Sequence, residues 1–258
     1  MNMKLMMIAL MASMILPAAW AAGPAQKESR FFEMRTYFAA PGKLDELQKR
    51  FREHTCELFR KHGMENIGYW LPLTNTENKL IYVLAYPTRE AREKSWIDFM
   101  ADPDWKAAQR ASEVNGKLVE RMESVFMTAT DFSPAVAPSA GAETRTFELR
   151  QYTCTPGHLP NLLERFREHT VALFAKYGMT SIGYWTPADK SKGADDTLIY
   201  ILAHKSAEAG AASFKNFRAD PEWIGVKADS EKKAGGSLTI PDGVKSTLMA
   251  PTDFSPMK

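Results

Sequence analysis

The chain has 258 residues, 45% of them hydrophobic, which is enough for two domains with cores of their own. Its formal net charge of +2 is spread without a Lys/Arg run, so neither nucleic acid nor an anionic membrane is expected as a partner. Five His and two Cys fall at no zinc-like spacing, and no phosphate loop, nucleophile elbow or dinucleotide fingerprint is present.

At the N-terminus Lys4 precedes the apolar run Leu5 to Leu16, and Ala19-Trp20-Ala21 places small residues where a signal peptidase reads. The run is too short for a transmembrane anchor. The expectation is a cleaved signal peptide over residues 1–21, a mature start at Ala22 and a periplasmic or secreted protein. After removal of the signal no membrane association is expected.

Phe31 to Phe38 alternates like a half-buried strand. Phe32, Met34, Thr36 and Phe38 take one face; Glu33, Arg35 and Tyr37 take the other. Pro41-Gly42 breaks the strand, and a helix is predicted from Lys43 to His62 with Leu44, Leu47, Phe51, Thr55, Leu58 and Phe59 as its apolar stripe. Gly63 stops it. Strands are predicted over Ile67 to Leu71 and Leu80 to Tyr86. Thr88 then caps a helix carrying Trp96, Ile97 and Phe99, and Asp102-Pro103 reads as a fresh helical start. A last strand is placed at Ser124 to Thr128. The Ala/Pro/Ser/Gly-rich linker of residues 135–145 follows.

The whole pattern then returns. Arg50-Phe51-Arg52-Glu53-His54-Thr55 is repeated letter for letter at Arg165 to Thr170, and 23 of the 39 positions from Phe32 to Trp70 are identical at the same offset of 115. The offset grows to 118 at Leu80/Leu198 and to 122 at Thr130-Asp131-Phe132-Ser133-Pro134, matched by Thr252 to Pro256. One domain is written twice, over residues 31–134 and 146–256, with loop insertions between. Its order, β-α-β-β-α-β, describes an α+β, ferredoxin-like unit whose sheet has one bare face. Two such units in tandem can cover each other and close a barrel within one chain.

Cys56 and Cys154 are not equivalent positions: Val171 stands opposite the first and Ala39 opposite the second. That disfavours an internal disulfide.

Glu33-x-Arg35-x-Tyr37, Pro41-Gly42, Glu53-His54, Gly68-x-Trp70 and Asp102-Pro103-x-Trp105 recur as Glu148-x-Arg150-x-Tyr152, Pro156-Gly157, Glu168-His169, Gly183-x-Trp185 and Asp220-Pro221-x-Trp223. Five motifs in order, twice, resemble tandem NIPSNAP domains. The resemblance implies the dimeric α/β-barrel superfamily, which holds cofactor-free monooxygenases, isomerases and haem enzymes. It transfers no catalytic residues to this chain.

Because the opposite parity is apolar and would pack on the helices, Glu33, Arg35, Tyr37, Glu148, Arg150 and Tyr152 are expected to face the barrel interior. One reading pairs each Glu with an Arg across the seam between repeats. The other makes the interior a pocket, with Arg35 or Arg150 holding an anion, Glu33 or Glu148 as general base and Tyr37 or Tyr152 as donor. An open pocket reaching either Arg favours a metabolite-binding function; an interior filled by Tyr and Trp favours an interaction or assembly module. Three extra residues between Trp185 and Leu198 point to the first repeat as the one that keeps the site. His54 and His169, at the edge of the helical stripe, are further ligand-binding candidates, with boundary packing as the plainer reading and an axial role toward haem as the sharper one. No cofactor or metal is expected. The function expected is binding or transforming a small anionic or aromatic metabolite in the barrel interior. The alternative is a non-catalytic interaction or assembly module with a packed interior.

Overall fold

The computed structural model describes residues 28–139 and 144–258; the expected signal peptide lies outside them. The first repeat runs β1 (Phe31–Ala39), α1 (Leu44–Arg50), a π-helical turn (Phe51–Thr55), α2 (Cys56–Lys61), β2 (Glu65–Pro72), β3 (Lys79–Tyr86), α3 (Arg89–Ala101), α4 (Pro103–Ser112) and β4 (Val119–Ala129). The second runs β5 (Thr146–Cys154), α5 (Leu159–Arg165), a π turn (Phe166–Thr170), α6 (Val171–Lys176), β6 (Thr180–Pro187), β7 (Thr197–His204), α7 (Ala207–Ala219), α8 (Pro221–Ala234) and β8 (Thr239–Pro251). Among the described residues no helix is long and apolar enough to cross a membrane.

The predicted elements are present, and local chemistry explains their ends. Thr88 accepts from Ala91 N–H and Asp102 from Asp104 N–H, with Pro103 in the first turn of α4. Gly63 closes α2 at φ +75°, a left-handed conformation that favours glycine. β4 starts five residues before its expected position because its first half is exposed and carries no apolar alternation to read. The hexapeptide shared by the repeats is where the first helix widens into a π turn. Cys56 N–H reaches Phe51 C=O, and the Thr55 hydroxyl donates to Arg50 C=O at 3.2 Å; Thr170 does the same to Arg165 C=O at 3.1 Å. Such single-turn bulges often mark functional sites.

The eight strands close one barrel in the order β1-β3-β2-β8-β5-β7-β6-β4, all antiparallel. Two seams join the repeats: β2 with β8 (Leu71 opposite Ala250) and β4 with β6 (Thr128 opposite Thr186). The fold is thus the expected intrachain α/β barrel of two ferredoxin-like domains.

The two sheet faces are the reverse of the expectation. One apolar cluster draws from both repeats and fills the barrel: Phe32, Met34, Val83 and Trp70 meet Phe147, Trp185, Ile201 and Met249. Two others lie between each sheet and its own helices, around Phe51, Tyr82 and Phe99 in one repeat and around Phe166, Tyr200 and Phe217 in the other. Glu33, Arg35, Tyr37 and their counterparts share that second layer. A barrel axis enclosed by eight strands offers a charge no route to water, at a cost of several kcal/mol per ion. The edge of a helix layer lets long polar side chains reach solvent. Gly68 and Gly183 serve the same interior packing, since a Cβ at either would stand 2.3 Å from the indole two residues on.

The repeats also strap one another. The segment after β4 crosses to the second repeat: Thr130 N–H donates to Tyr184 C=O, Tyr184 N–H donates to Ser133 Oγ, and Arg167 grips Asp131 through two bonds of 2.8 Å. The segment after β8 returns the arrangement. Thr252 N–H donates to Tyr69 C=O, Tyr69 N–H to Ser255 Oγ, and Arg52 holds Asp253. The duplicated Thr-Asp-Phe-Ser-Pro is this clasp, and Arg52 and Arg167 of the hexapeptide are its receptors.

Candidate functional site

In the first repeat α3 and α4 stand off the sheet far enough to leave a cavity of about 360 Å³. Arg35 and Tyr37 enter from β1, Arg50 from the end of α1, Phe51 and Thr55 from the π turn, Trp96 and Phe99 from α3, and Trp105 from α4. Arg35 sits over the Trp96 ring, its guanidinium carbon 4.0 Å from the ring centre. Arg50 sits 5.1 Å from the Trp105 ring and bonds Glu113 at 2.9 Å. Arg35 and Arg50 are 7% and 5% exposed, yet Nε of each has no acceptor, and neither has the Trp105 indole N–H or the Tyr82 hydroxyl. Three of these donors, on Arg35, Arg50 and Trp105, belong to side chains that line the one aromatic-walled space, more than a folded interior ordinarily leaves.

Glu33 has the opposite status. Its carboxylate accepts from Arg92 at 2.9 and 3.0 Å, Arg35 at 3.1 Å, Ser124 at 2.7 Å, Trp96 at 3.1 Å and Tyr86 at 3.2 Å. Burial alone would raise its pKa, but the Arg92 bonds, the Arg35 charge and the Ser124 hydroxyl together hold it below the usual range. Its oxygens are saturated, so it anchors arginines and is poorly placed to take a proton from a ligand. The pairing expected across the seam is therefore found within the repeat.

The second repeat repeats the frame with changed fittings. Arg150 bonds Glu148 at 2.5 Å and Tyr152 OH at 3.3 Å, and Arg165 faces Trp223 at 5.1 Å. Gly210 stands where Arg92 would, and His204 replaces Tyr86, bonding Glu148 at 2.9 Å. A Cβ at Gly210 would meet the His204 ring at 2.9 Å, so the imidazole takes the space an arginine uses in the other copy. A cavity of about 300 Å³ remains here too. The longer loop after β6 does not line it; Asp189 of that loop instead meets Arg89 at 2.8 Å near the seam.

His54 and His169 are not brought to Arg35 or Arg150. Each lines a separate groove, and among the described residues only Arg50 and Arg165 touch both spaces of their repeat. Among the described residues no group of three or more His, Cys, Asp or Glu could hold a metal ion. Cys56 and Cys154 are buried and free, in separate repeats. Sequence reasoning missed Arg50 and Arg165. Both precede their π turns outside the helical stripe, yet their place in the hexapeptide was the available signal.

Glu148 carries a testable pH dependence. Burial raises its pKa, but bonds from His204, Ser246 and Arg150 outweigh this and hold it at about 2, against an ordinary 4.5. A depressed carboxylate contributes stability above the unfolded value, and that stability is lost as pH falls from about 4.5 toward 2. Melting curves of wild type and Glu148→Gln should therefore converge over that window; parallel curves would show that the carboxylate adds nothing.

The NIPSNAP family model matches residues 32–134 and 147–256. The chain is 24% identical over 241 residues to Protein NipSnap homolog 3B of Mus musculus, covering 93% of this chain and 90% of that protein. It is 23% identical over 243 residues to Protein NipSnap homolog 3A of Homo sapiens, covering 93% and 91%. Among solved structures, a putative monooxygenase of Fusobacterium nucleatum superposes with a TM-score of 0.56 at 10% identity, over 86% of this chain and 92% of that one. That likeness speaks to the barrel fold alone.

Proposed function

Since the chain belongs to the NIPSNAP family and folds two of its domains into one barrel, we propose that it binds a small molecule in the sheet–helix pocket of the first repeat. The ligand joins one anionic group to an aromatic or apolar body. The observation that carries this is a set of buried donors on side chains that line the cavity: Arg35 Nε, Arg50 Nε and Trp105 Nε1 have no acceptor among the described residues. A carboxylate would accept from the arginines, and Phe51, Phe59 and Phe99 would cover the body. Balance of charge points to a single negative group. Glu113 offsets Arg50 and Glu33 offsets Arg35, which leaves Lys117 at the rim as the one cation lining the pocket with no carboxylate partner among the described residues.

The barrel interior gives the second reading its support, for Trp70 and Trp185 pack it and only its mouth is polar, at Thr36, Glu123 and Gln151. A packed barrel suits a purely structural or assembly role for that space. It leaves the helix-side pocket open, so the two readings separate by location.

Titration of 1-naphthoate, followed by calorimetry and tryptophan fluorescence, tests the proposal. Arg50→Met should weaken binding by about tenfold or more, the loss of one charge-assisted hydrogen bond. It should leave the circular dichroism spectrum unchanged, because Glu113, its partner, is partly exposed. Affinity untouched by Arg50→Met, or no binding by naphthoate and related aromatic acids, would reject it.

A further inference from the structure

The two pockets share a frame but differ in charge. Met100 and Gln109, which line the first, are replaced by Arg218 and Lys227, which line the second. Arg218 is on α7 and Lys227 on α8, so the added cations approach the cavity from both helices. Deeper in, Arg165 is 6% exposed and its Nε has no acceptor; one bond leads from its Nη1 to Ser230, at 3.4 Å. Its counterpart Arg50 is held by Glu113 at 2.9 Å, but Glu231 makes no salt bridge with Arg165 and lies 4.0 Å from Lys227 instead. Arg150 is neutralised by Glu148 behind it. Among the described residues, Arg165, Arg218 and Lys227 therefore line the space against one carboxylate, Glu231, leaving two positive charges unanswered. The apolar wall is thinner as well, with Phe214 where the first repeat has Trp96 and Val244 where it has Met122.

We propose that the second pocket is a separate binding site for a small doubly charged anion, a phosphomonoester or a dicarboxylate. Arg165 takes the inner oxygens, and Arg218 and Lys227 close on the outer ones. Guanidinium groups match such oxygens in paired geometry, and a half-enclosed cleft lined by one sign of charge concentrates the matching ligand. The buried Arg165 fits this role independently, since burial lowers its pKa and its protein neighbours do not restore it. The site stands whether or not the first pocket holds its own ligand.

The test uses two aromatic dianions, phenyl phosphate and phthalate, with phenylacetate as the singly charged control, in calorimetric titrations near pH 8. At least one dianion should bind about tenfold or more tightly than phenylacetate, and which one binds identifies the chemistry. Arg218→Met with Lys227→Gln, which restores the first repeat's side chains at exposed positions, should cost about tenfold or more in dianion affinity, equivalent to one 1.4 kcal/mol step. Arg50→Met in the other pocket should leave dianion affinity unchanged. The proposal is overturned if neither dianion is preferred, if the double variant binds like wild type, or if Arg50→Met removes the binding.

Discussion

Glu33→Gln is expected to cost about 3–5 kcal/mol of stability, the loss typical when one partner of a buried ion pair is removed. The amide keeps one acceptor oxygen where the carboxylate served Arg92, Arg35, Ser124, Trp96 and Tyr86. Two guanidinium groups would then share a closed space without a counter-charge. Arg35→Met should cost distinctly less, because Arg92 still neutralises Glu33. Arg150→Met is the informative contrast. Gly210 supplies no second arginine, so Glu148 would keep only His204 and Ser246. It should therefore be the more damaging of the two Arg→Met changes. Urea melts of the single variants and of the Glu33→Gln/Arg35→Met pair give the coupling directly. Equal losses for Arg35→Met and Arg150→Met, or a Glu33→Gln chain as stable as wild type, would sink this account.

These expectations show where sequence reasoning was strong and where it inverted. The duplication, the element order and the closed barrel were legible because period-2 alternation and a repeated pattern report on packing directly. The choice of face was not legible. Phe32 and Met34 alternate with Glu33 and Arg35, and alternation says that two faces differ without saying which meets helices. That depends on helix-borne partners such as Arg92 and Trp96, which lie far along the chain and show no repeat: Gly210 and Phe214 stand in their places. A buried pair and a neighbouring cavity also occur together on the Glu-Arg-Tyr face, on the helix side of the sheet rather than in the barrel interior. Glu33 is a buried ion-pair anchor, while Arg35, held by that anchor, lines a cavity and keeps an Nε without an acceptor among the described residues.

Deleting Thr252 to Lys258 should remove most of the protein's stability, although the segment forms no part of a helix or a strand. Its visible feature is the Arg52–Asp253 pair, but both side chains are substantially exposed, and such pairs contribute about 0–1 kcal/mol. The weight lies in the two apolar residues around it. Phe254 stacks on Phe51, with ring centres 6.2 Å apart, and leans on Tyr69. Met257 is 1% exposed and belongs to the cluster that fills the barrel. Truncating a buried side chain such as Met257 costs about 2–5 kcal/mol and the half-buried Phe254 adds a smaller loss, against a total of about 5–15 kcal/mol for a folded domain. The deletion also strands Tyr69 N–H and C=O, which bond Ser255 Oγ and Thr252 N–H. Because the strap belongs to the second repeat and its seat to the first, loss should lower the melting of both repeats together. Asp253→Ala should change stability by no more than about 1 kcal/mol, and Met257→Ala should lose about 2–5 kcal/mol. A truncated chain that melts with wild type, or an Asp253→Ala loss larger than that of Met257→Ala, would show that the clasp is ionic decoration rather than part of the core.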